Sequence, residues 1–154
     1  MVVIKEKTVV TQRIHGDCPT HSRTEISTRD VKTVVDEPKE RDGTNMAPTP
    51  TETLVAALIA CTNVIGQKCA RKHGVNFSAM SIDAEALLDR RGTQMLEEIE
   101  IPFPKVRLII NVVTDASEAE LEKVKADLHR FCPVAKVFRN AGTQIEEVWN
   151  LTSG

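Results

Sequence analysis

Hydrophobic positions follow two different spacings along this chain, and the changes between them mark out its elements. Val2–Ile14 mixes Val and Ile with alternating charge and reads as a first strand. His15–Ser22 (HGDCPTHS) packs Gly, Asp and Pro into eight residues and reads as a turn. Arg23–Ser27 and Val31–Asp36 are short β-branched runs, so residues 1–36 are expected to form a three-stranded antiparallel meander. Glu37–Pro50 is polar and rich in Pro, which predicts an ordered but irregular loop. Val75–Leu88 alternates Met80, Ile82, Ala84, Ala86 and Leu88 with polar partners and predicts a strand, followed by a turn at Asp89–Gly92. Ile99–Ile101 and Val106–Val113 read as further strands, with Pro102 and Pro104 confining the former to an edge or a bulge. Ser117 and Glu120 form a capping-box pattern ahead of Leu121, Val124, Leu128 and Phe131, which recur at helical spacing. Cys132-Pro133 interrupts that helix. A short third helix is expected over Pro133–Asn140, and a closing strand over Thr143–Leu151.

The longest element is predicted over Thr51–Lys72. Glu52 lies in its first turn, Lys68, Arg71 and Lys72 near its end, and Gly74 just beyond. At 1.5 Å per residue it should run about 33 Å. Its middle (Leu54, Val55, Ala56, Ala57, Leu58, Ile59, Ala60, Val64, Ile65) is apolar on nearly every face. A water-facing helix carries one apolar stripe, so this one is expected to be covered on most sides by sheet or by a partner chain. The elements together predict an α+β class: an antiparallel sheet of about six strands wrapped around a long central helix, in a single domain spanning 1–154. Within it, strands fall in 75–113, helices in 117–140 and the closing strand in 143–151.

Net charge is −2, which leaves no bulk positive field for nucleic acid or anionic lipid. Four Phe, one Trp and no Tyr argue against a base-stacking surface. Charges within the first seven residues exclude a signal peptide, and Leu54–Ile65 is too short to span a bilayer, so no membrane partner is expected. Four Cys without a secretory signal predict a reducing, cytoplasmic setting.

Two cysteines occupy positions with chemical consequences. Cys132 precedes a helix whose exposed N–H groups favour a thiolate; alternatively it is a small residue at a junction. Cys61 is mid-helix, where it is either inert packing or a reactive thiol that needs a cation from elsewhere in the fold. Cys18 and Cys69 read as incidental. Cys18-x2-His21 and Cys69-x3-His73 have ligand-like spacings, but neither has a repeated partner pair, so no metal is expected. His15, His21, His73 and His129 read as surface residues. Phosphate loops, dinucleotide fingerprints, nucleophile-elbow serines and HExxH motifs do not occur, and no cofactor is expected.

Asp36-Glu37-Pro38, Gly43-Thr44-Asn45-Met46-Ala47-Pro48-Thr49-Pro50-Thr51-Glu52-Thr53-Leu54, Ala56-Ala57-Leu58 and Ala60-Cys61-Thr62 together resemble the OsmC/Ohr family of hydroperoxide-reducing proteins. Cys132-Pro133-Val134, after an acidic amphipathic helix, is the second matching motif, and the resemblance is closer to the less characterised OsmC-like branch. It implies an OsmC-like fold and an intertwined homodimer with the central helices buried between subunits. It also implies a two-cysteine peroxidase for organic hydroperoxides with a role in oxidative-stress defence. Cys61 would become a sulfenic acid, Cys132 would resolve it, and an external dithiol of lipoyl type would reduce the pair. The family sets an Arg beside the attacking Cys and a Glu that holds it. Arg23 is the nearest match for the former, with Arg29 and Arg41 as fallbacks, and Glu52 for the latter. The family Glu directly follows Pro. Here Thr51 holds that place and Glu52 lies one residue later, about 100° around the helix. That offset keeps a second expectation open, a non-catalytic small-molecule or thiol-ligand binding protein on the same fold.

Overall fold

The computed structural model describes residues 8–154, which fall into two compact units that divide between Thr53 and Leu54. In the first, β1 (His15–Asp17), β2 (Thr24–Thr28) and β3 (Val31–Val35) form an antiparallel sheet in that order. Thr28 pairs with Val31, leaving Arg29-Asp30 as a two-residue turn. Arg29 takes φ +52°, the positive φ that tight hairpin turns require at their first position. Residues 2–7 of the expected first strand lie outside the described residues. Thr8–Ile14 is irregular, with Val9, Val10 and Ile14 exposed, and the strand forms instead from the run read as a turn. Pairing decides this: Glu25, Ile26 and Ser27 are bonded to Asp17, Gly16 and His15, whereas the β-branched run before them has no strand beside it in this sheet.

The polar segment after β3 is held by one buried carboxylate. Asp36 is fully buried and accepts hydrogen bonds from the Thr44 N–H and hydroxyl, the Met46 N–H (3.1 Å) and the Ser22 hydroxyl (3.1 Å). These donors, the Thr44 hydroxyl foremost, hold its carboxyl far below the usual carboxylate range against the opposing effect of burial. Gly43 fits here because a Cβ would lie 1.8 Å from the Glu37 carbonyl oxygen.

The second unit is built around β5. β4 (Ala79–Leu87) pairs antiparallel with β5 (Lys105–Val113), and β6 (Gln144–Thr152) pairs with β5 in parallel. Among the described residues the six strands therefore divide into two sheets of three with one parallel pair, where a single antiparallel sheet was expected. A parallel return needs a long crossover, and α2 (Glu118–Phe131) and α3 (Pro133–Asn140) supply it. The capping box is formed as expected: Ser117 Oγ accepts from the Glu120 N–H while Glu120 accepts from the Ser117 N–H. β5 alternates strictly, burying Val106, Leu108, Ile110 and Val112 in one cluster with Leu121, Val124 and Leu128 of α2 and Ala135 and Phe138 of α3. Ile99–Ile101 is not a strand. Pro102 and Pro104 offer no N–H there, and the loop is tied instead by Arg91 to Asp89 and Glu97. Gly142, at φ +92°, lets Ile101 pack where a Cβ would come within 2.8 Å of its Cδ1.

The long helix α1 (Pro50–Lys72) has the expected extent. Its own chain covers one side of it. Only Leu58, Thr62, Gly66, Cys69 and Ala70 are buried, while Leu54 and Val64 are 44% and 50% exposed. By length and composition alone, this 23-residue helix also suffices to cross a bilayer, a test that core helices of soluble proteins pass as well.

Because the folded-state pKa of Asp36 is depressed, its contribution to stability is complete above the unfolded value of about 4 and is lost as pH falls below it. Asp36→Asn is expected to lower the melting temperature at pH 7 and to flatten the loss of stability between pH 5 and 3 of about one proton's worth. Thermal melts across that range check this, and an unchanged acid limb in the variant would contradict it. Gly43→Ala should cost on the order of 3 kcal/mol in denaturant titration, because the clash is with backbone that cannot give way.

Candidate functional site

Pro133 ends α2 and starts α3, and Cys132 is the residue shared by both ends. Its N–H donates to the Leu128 carbonyl (3.0 Å), and its carbonyl accepts from the Lys136 N–H (3.1 Å). This position turns the Cys132 side chain into the core, where it is 1% exposed. Cys61 comes from the middle of α1 and is half-buried against the same cluster. The two thiols, 71 residues apart in sequence, are close enough to influence each other's ionisation.

Of the two readings of Cys132, the favoured thiolate is not the one its electrostatics support. Desolvation pushes its thiol up to about 11, the N–H groups of Ala135 and Val134 pull it down only in part, and the neighbouring Cys61 raises it further. An eight-residue helix leaves too little favourable potential at its start to offset a nearly complete loss of water. Cys132 is therefore a neutral thiol at physiological pH, held beside a second thiol that solvent reaches.

The other two expected site residues belong to the first unit. Glu52 closes a capping box at the start of α1: its carboxylate accepts from the Thr49 N–H (2.8 Å), and Thr49 Oγ1 accepts from the Glu52 N–H (3.2 Å). The Thr49 N–H, then the Thr49 hydroxyl, then Arg41 hold its carboxyl below the usual range. Arg23 donates through Nη1 to Met46 Sδ (3.3 Å), and its Nε lies 3.7 Å from a Glu25 carboxylate oxygen, is buried and has no hydrogen-bond partner among the described residues. Of the fallbacks, Arg41 is paired with Glu37 at 3.0 Å and Arg29 occupies the hairpin turn.

Cys18 is exposed near Thr24, and His21 is exposed in the turn after it. Cys69 is buried, with its thiol pushed up first by desolvation and then by Asp127. His73 is engaged elsewhere: its Nε2 lies 2.9 Å from Asp127 Oδ2, which also accepts from Lys72 Nζ at 2.6 Å, and Arg130 reaches Asp127 Oδ1 at 3.4 Å. This cluster joins the end of α1 to α2. No spacing in the sequence announced it, since its partners are more than fifty residues apart.

A family model described as OsmC-like protein matches residues 43–148. Among solved structures, an OsmC-like protein from Mycoplasma pneumoniae is 14% identical with a TM-score of 0.78, over 93% of this chain and 98% of that one. An organic hydroperoxide resistance protein OsmC from Legionella pneumophila is 20% identical with a TM-score of 0.68, over 94% and 99%. The organic hydroperoxide resistance protein OhrB of Bacillus subtilis is 16% identical with a TM-score of 0.59, over 93% and 98%. A sequence comparison with curated proteins finds no match.

Thiol labelling resolves the site's electrostatics. With iodoacetamide at pH 8, Cys18 is expected to react first and Cys132 among the slowest, the rate at Cys132 rising about tenfold per pH unit until it levels near 11. Peptide mass mapping reads the order, and fast labelling of Cys132 at pH 8 would contradict it. Thr49→Ala, which opens the capping box, should cost about 1 kcal/mol of stability in denaturant titration.

Proposed function

The chain belongs to the OsmC-like protein family, and from that premise we propose that it is a two-cysteine, thiol-dependent peroxidase for organic hydroperoxides. The observation that carries this reading is the pairing of a solvent-reached Cys61 with a buried, neutral Cys132. Cys61, as the thiolate, attacks the distal oxygen of the hydroperoxide; the O–O bond breaks, the alcohol leaves, and Cys61 becomes a sulfenic acid. The Cys132 sulfur then attacks that sulfenic acid sulfur to form a disulfide, and the departing hydroxyl leaves as water with the proton of the Cys132 thiol. An external dithiol of lipoyl type restores both thiols. A resolving thiol that stays protonated at rest does not compete for the peroxide, which divides the labour between the two residues.

For the cation that favours the Cys61 thiolate the reading keeps Arg23, the match that the family resemblance names. Glu52 enters this reading only as the residue that closes the α1 cap. The exposed stripe of α1, including Leu54, Ala57, Ala60 and Val64, is assigned to a second copy of the chain, its small residues allowing close helix approach. Four unpaired cysteines suit a reducing cytoplasm. A second reading, ligand binding without turnover, is favoured by the engagement of Glu52 with Thr49, which leaves the family's Arg-holding carboxylate without an evident counterpart.

Cys61→Ser is expected to abolish dithiol-dependent consumption of an organic hydroperoxide. Cys132→Ser should keep a single turnover, accumulate a sulfenic acid trapped by dimedone, and lose at least about 100-fold in steady-state rate. Retention of wild-type turnover by both variants would sink the peroxidase reading and leave ligand binding in its place. Val64→Glu is expected to convert a species of twice the chain mass into one of single mass in sedimentation.

A further inference from the structure

Met95 and Leu96 are adjacent, 95% and 72% exposed, in the loop that joins β4 to β5. Their turn is held by its own backbone. The N–H groups of Gln94, Met95 and Leu96 donate to the carbonyls of Arg90 (2.9 Å), Gly92 (3.0 Å) and Arg91 (3.0 Å). Arg91 also clamps the loop to Asp89 and Glu97. The two apolar side chains are thus displayed on a turn already formed, so little ordering is left to be done when something covers them. The segment 92–101 around them carries Glu97, Glu98 and Glu100 and no cation, and Glu98 and Glu100 have no ion-pair partner among the described residues.

A surface of the opposite character lies at the same end of the second unit. Between Asp127 and Glu146 the chain carries no carboxylate side chain. The last turn of α2 and the outer side of α3 line an open cleft of about 510 Å³ there, with Arg130, Lys136 and Arg139 on its walls. Arg139 Nη2 donates to the His129 carbonyl at 2.6 Å and ties the two walls together. Phe131 lines the same cleft at 52% exposure, and Val137 of α3 is 65% exposed. Lys136 has no ion-pair partner among the described residues. The loop borders this cleft without filling it. Its base packs on the far side of α3, where Ile101 lies against Gly142 and Phe103 meets Phe138 edge-on at 5.9 Å, while Met95 and Leu96 stay bare.

We propose that this cleft receives the acidic, apolar β4–β5 loop of a second copy of the chain, each copy's loop seating in the other's cleft about a twofold axis. Charge selects that occupant: the loop brings Glu97, Glu98 and Glu100 to a cleft walled by three cations and no carboxylate. The apolar parts match as well. Met95 and Leu96 supply what Phe131 and Val137 lack, and a flexible thioether packs favourably against an aromatic ring. The closeness of loop and cleft on one chain makes the exchange reciprocal. A patch that holds both halves of a contact is self-complementary, so two copies close on each other instead of propagating as a filament. Closure also doubles the buried area, which brings a loop-sized contact toward the roughly 1,200–2,000 Å² of specific pairs. The contact uses none of the exposed stripe of α1 and neither Cys61 nor Cys132, so it stands apart from the peroxidase reading and from the pairing through α1.

Sedimentation equilibrium of the full-length chain, with charges reversed on the two sides of the contact, tests this. The readout is the association that doubles the mass, from one chain to two or from an α1-joined pair to four. Lys136→Glu alone, and Glu98→Lys/Glu100→Lys alone, are each expected to weaken it at least about tenfold at 20 mM salt, because each sets like charges against one another. An equimolar mixture of the two variants should return to within about threefold of wild type, since a mixed pair has one native contact and one reversed on both sides. Wild type itself should associate about tenfold more weakly at 200 mM than at 20 mM salt. All the substituted side chains are exposed, so both variants should keep the wild-type melting temperature. Variants that associate like wild type, a mixture no tighter than the separate variants, or a wild type that never shows the doubling would each overturn the proposal.

Discussion

Desolvation at the junction of α2 and α3 is the constraint that sets the state of the Cys132 thiol. Pro133 cannot continue α2, so the chain must break there, and the break falls over the buried face of β5. Val106, Leu108, Ile110 and Val112 share one cluster with the apolar sides of both helices, and Cys132 is carried into that cluster at 1% exposure. Loss of water then outweighs the N–H groups at the start of α3, and the thiol stays protonated. Burial thus leaves Cys132 a protonated thiol beside Cys61.

The central helix shows how an apolar sequence can outrun the surface its own chain provides. α1 buries the stripe Leu58, Thr62, Gly66, Cys69 and Ala70 and leaves Leu54 and Val64 substantially exposed. Full burial of such a side chain is worth about 1.5–3 kcal/mol, and each of these is already about half covered, so covering both would add roughly 1.5–3 kcal/mol, a sizeable share of the net stability of a domain. A partner on that face would therefore matter to folding as much as to function. The near end of the helix is fastened locally by the Thr49–Glu52 box, and the far end through Lys72 and His73 to Asp127.

Asp36 plays a comparable organising role in the first unit. The segment after it is too polar and too proline-rich for regular structure, yet its donors converge on one carboxylate. Glu37 and Gly43 approach so closely that only a residue without a side chain fits. The same Gly43–Cys61 stretch carries the motif by which the family is legible. Part of that motif therefore encodes loop closure and helix capping, physical tasks separate from peroxide chemistry.

Several features were determined by the sequence itself. The period of Leu121, Val124 and Leu128, the Ser117–Glu120 box, the Pro at position 133 and the strict alternation of β5 act over a few residues, and the elements formed close to the expected bounds. The two cysteine motifs likewise identified the family. Tertiary structure decided what depends on neighbours distant in the chain. Val9 and Val10 have strand-forming side chains and no paired strand among the described residues, while His15–Asp17 has turn-forming residues and a partner in Glu25–Ser27. β6 is parallel because two helices intervene, and Glu52 serves Thr49 because a helix N-terminus leaves that N–H without a backbone acceptor. The ionisation of Cys132 was the least readable quantity. A helix N-terminus is visible in the residues, but the water excluded from it is set by β5, α1 and α2 together, and that exclusion is the larger effect.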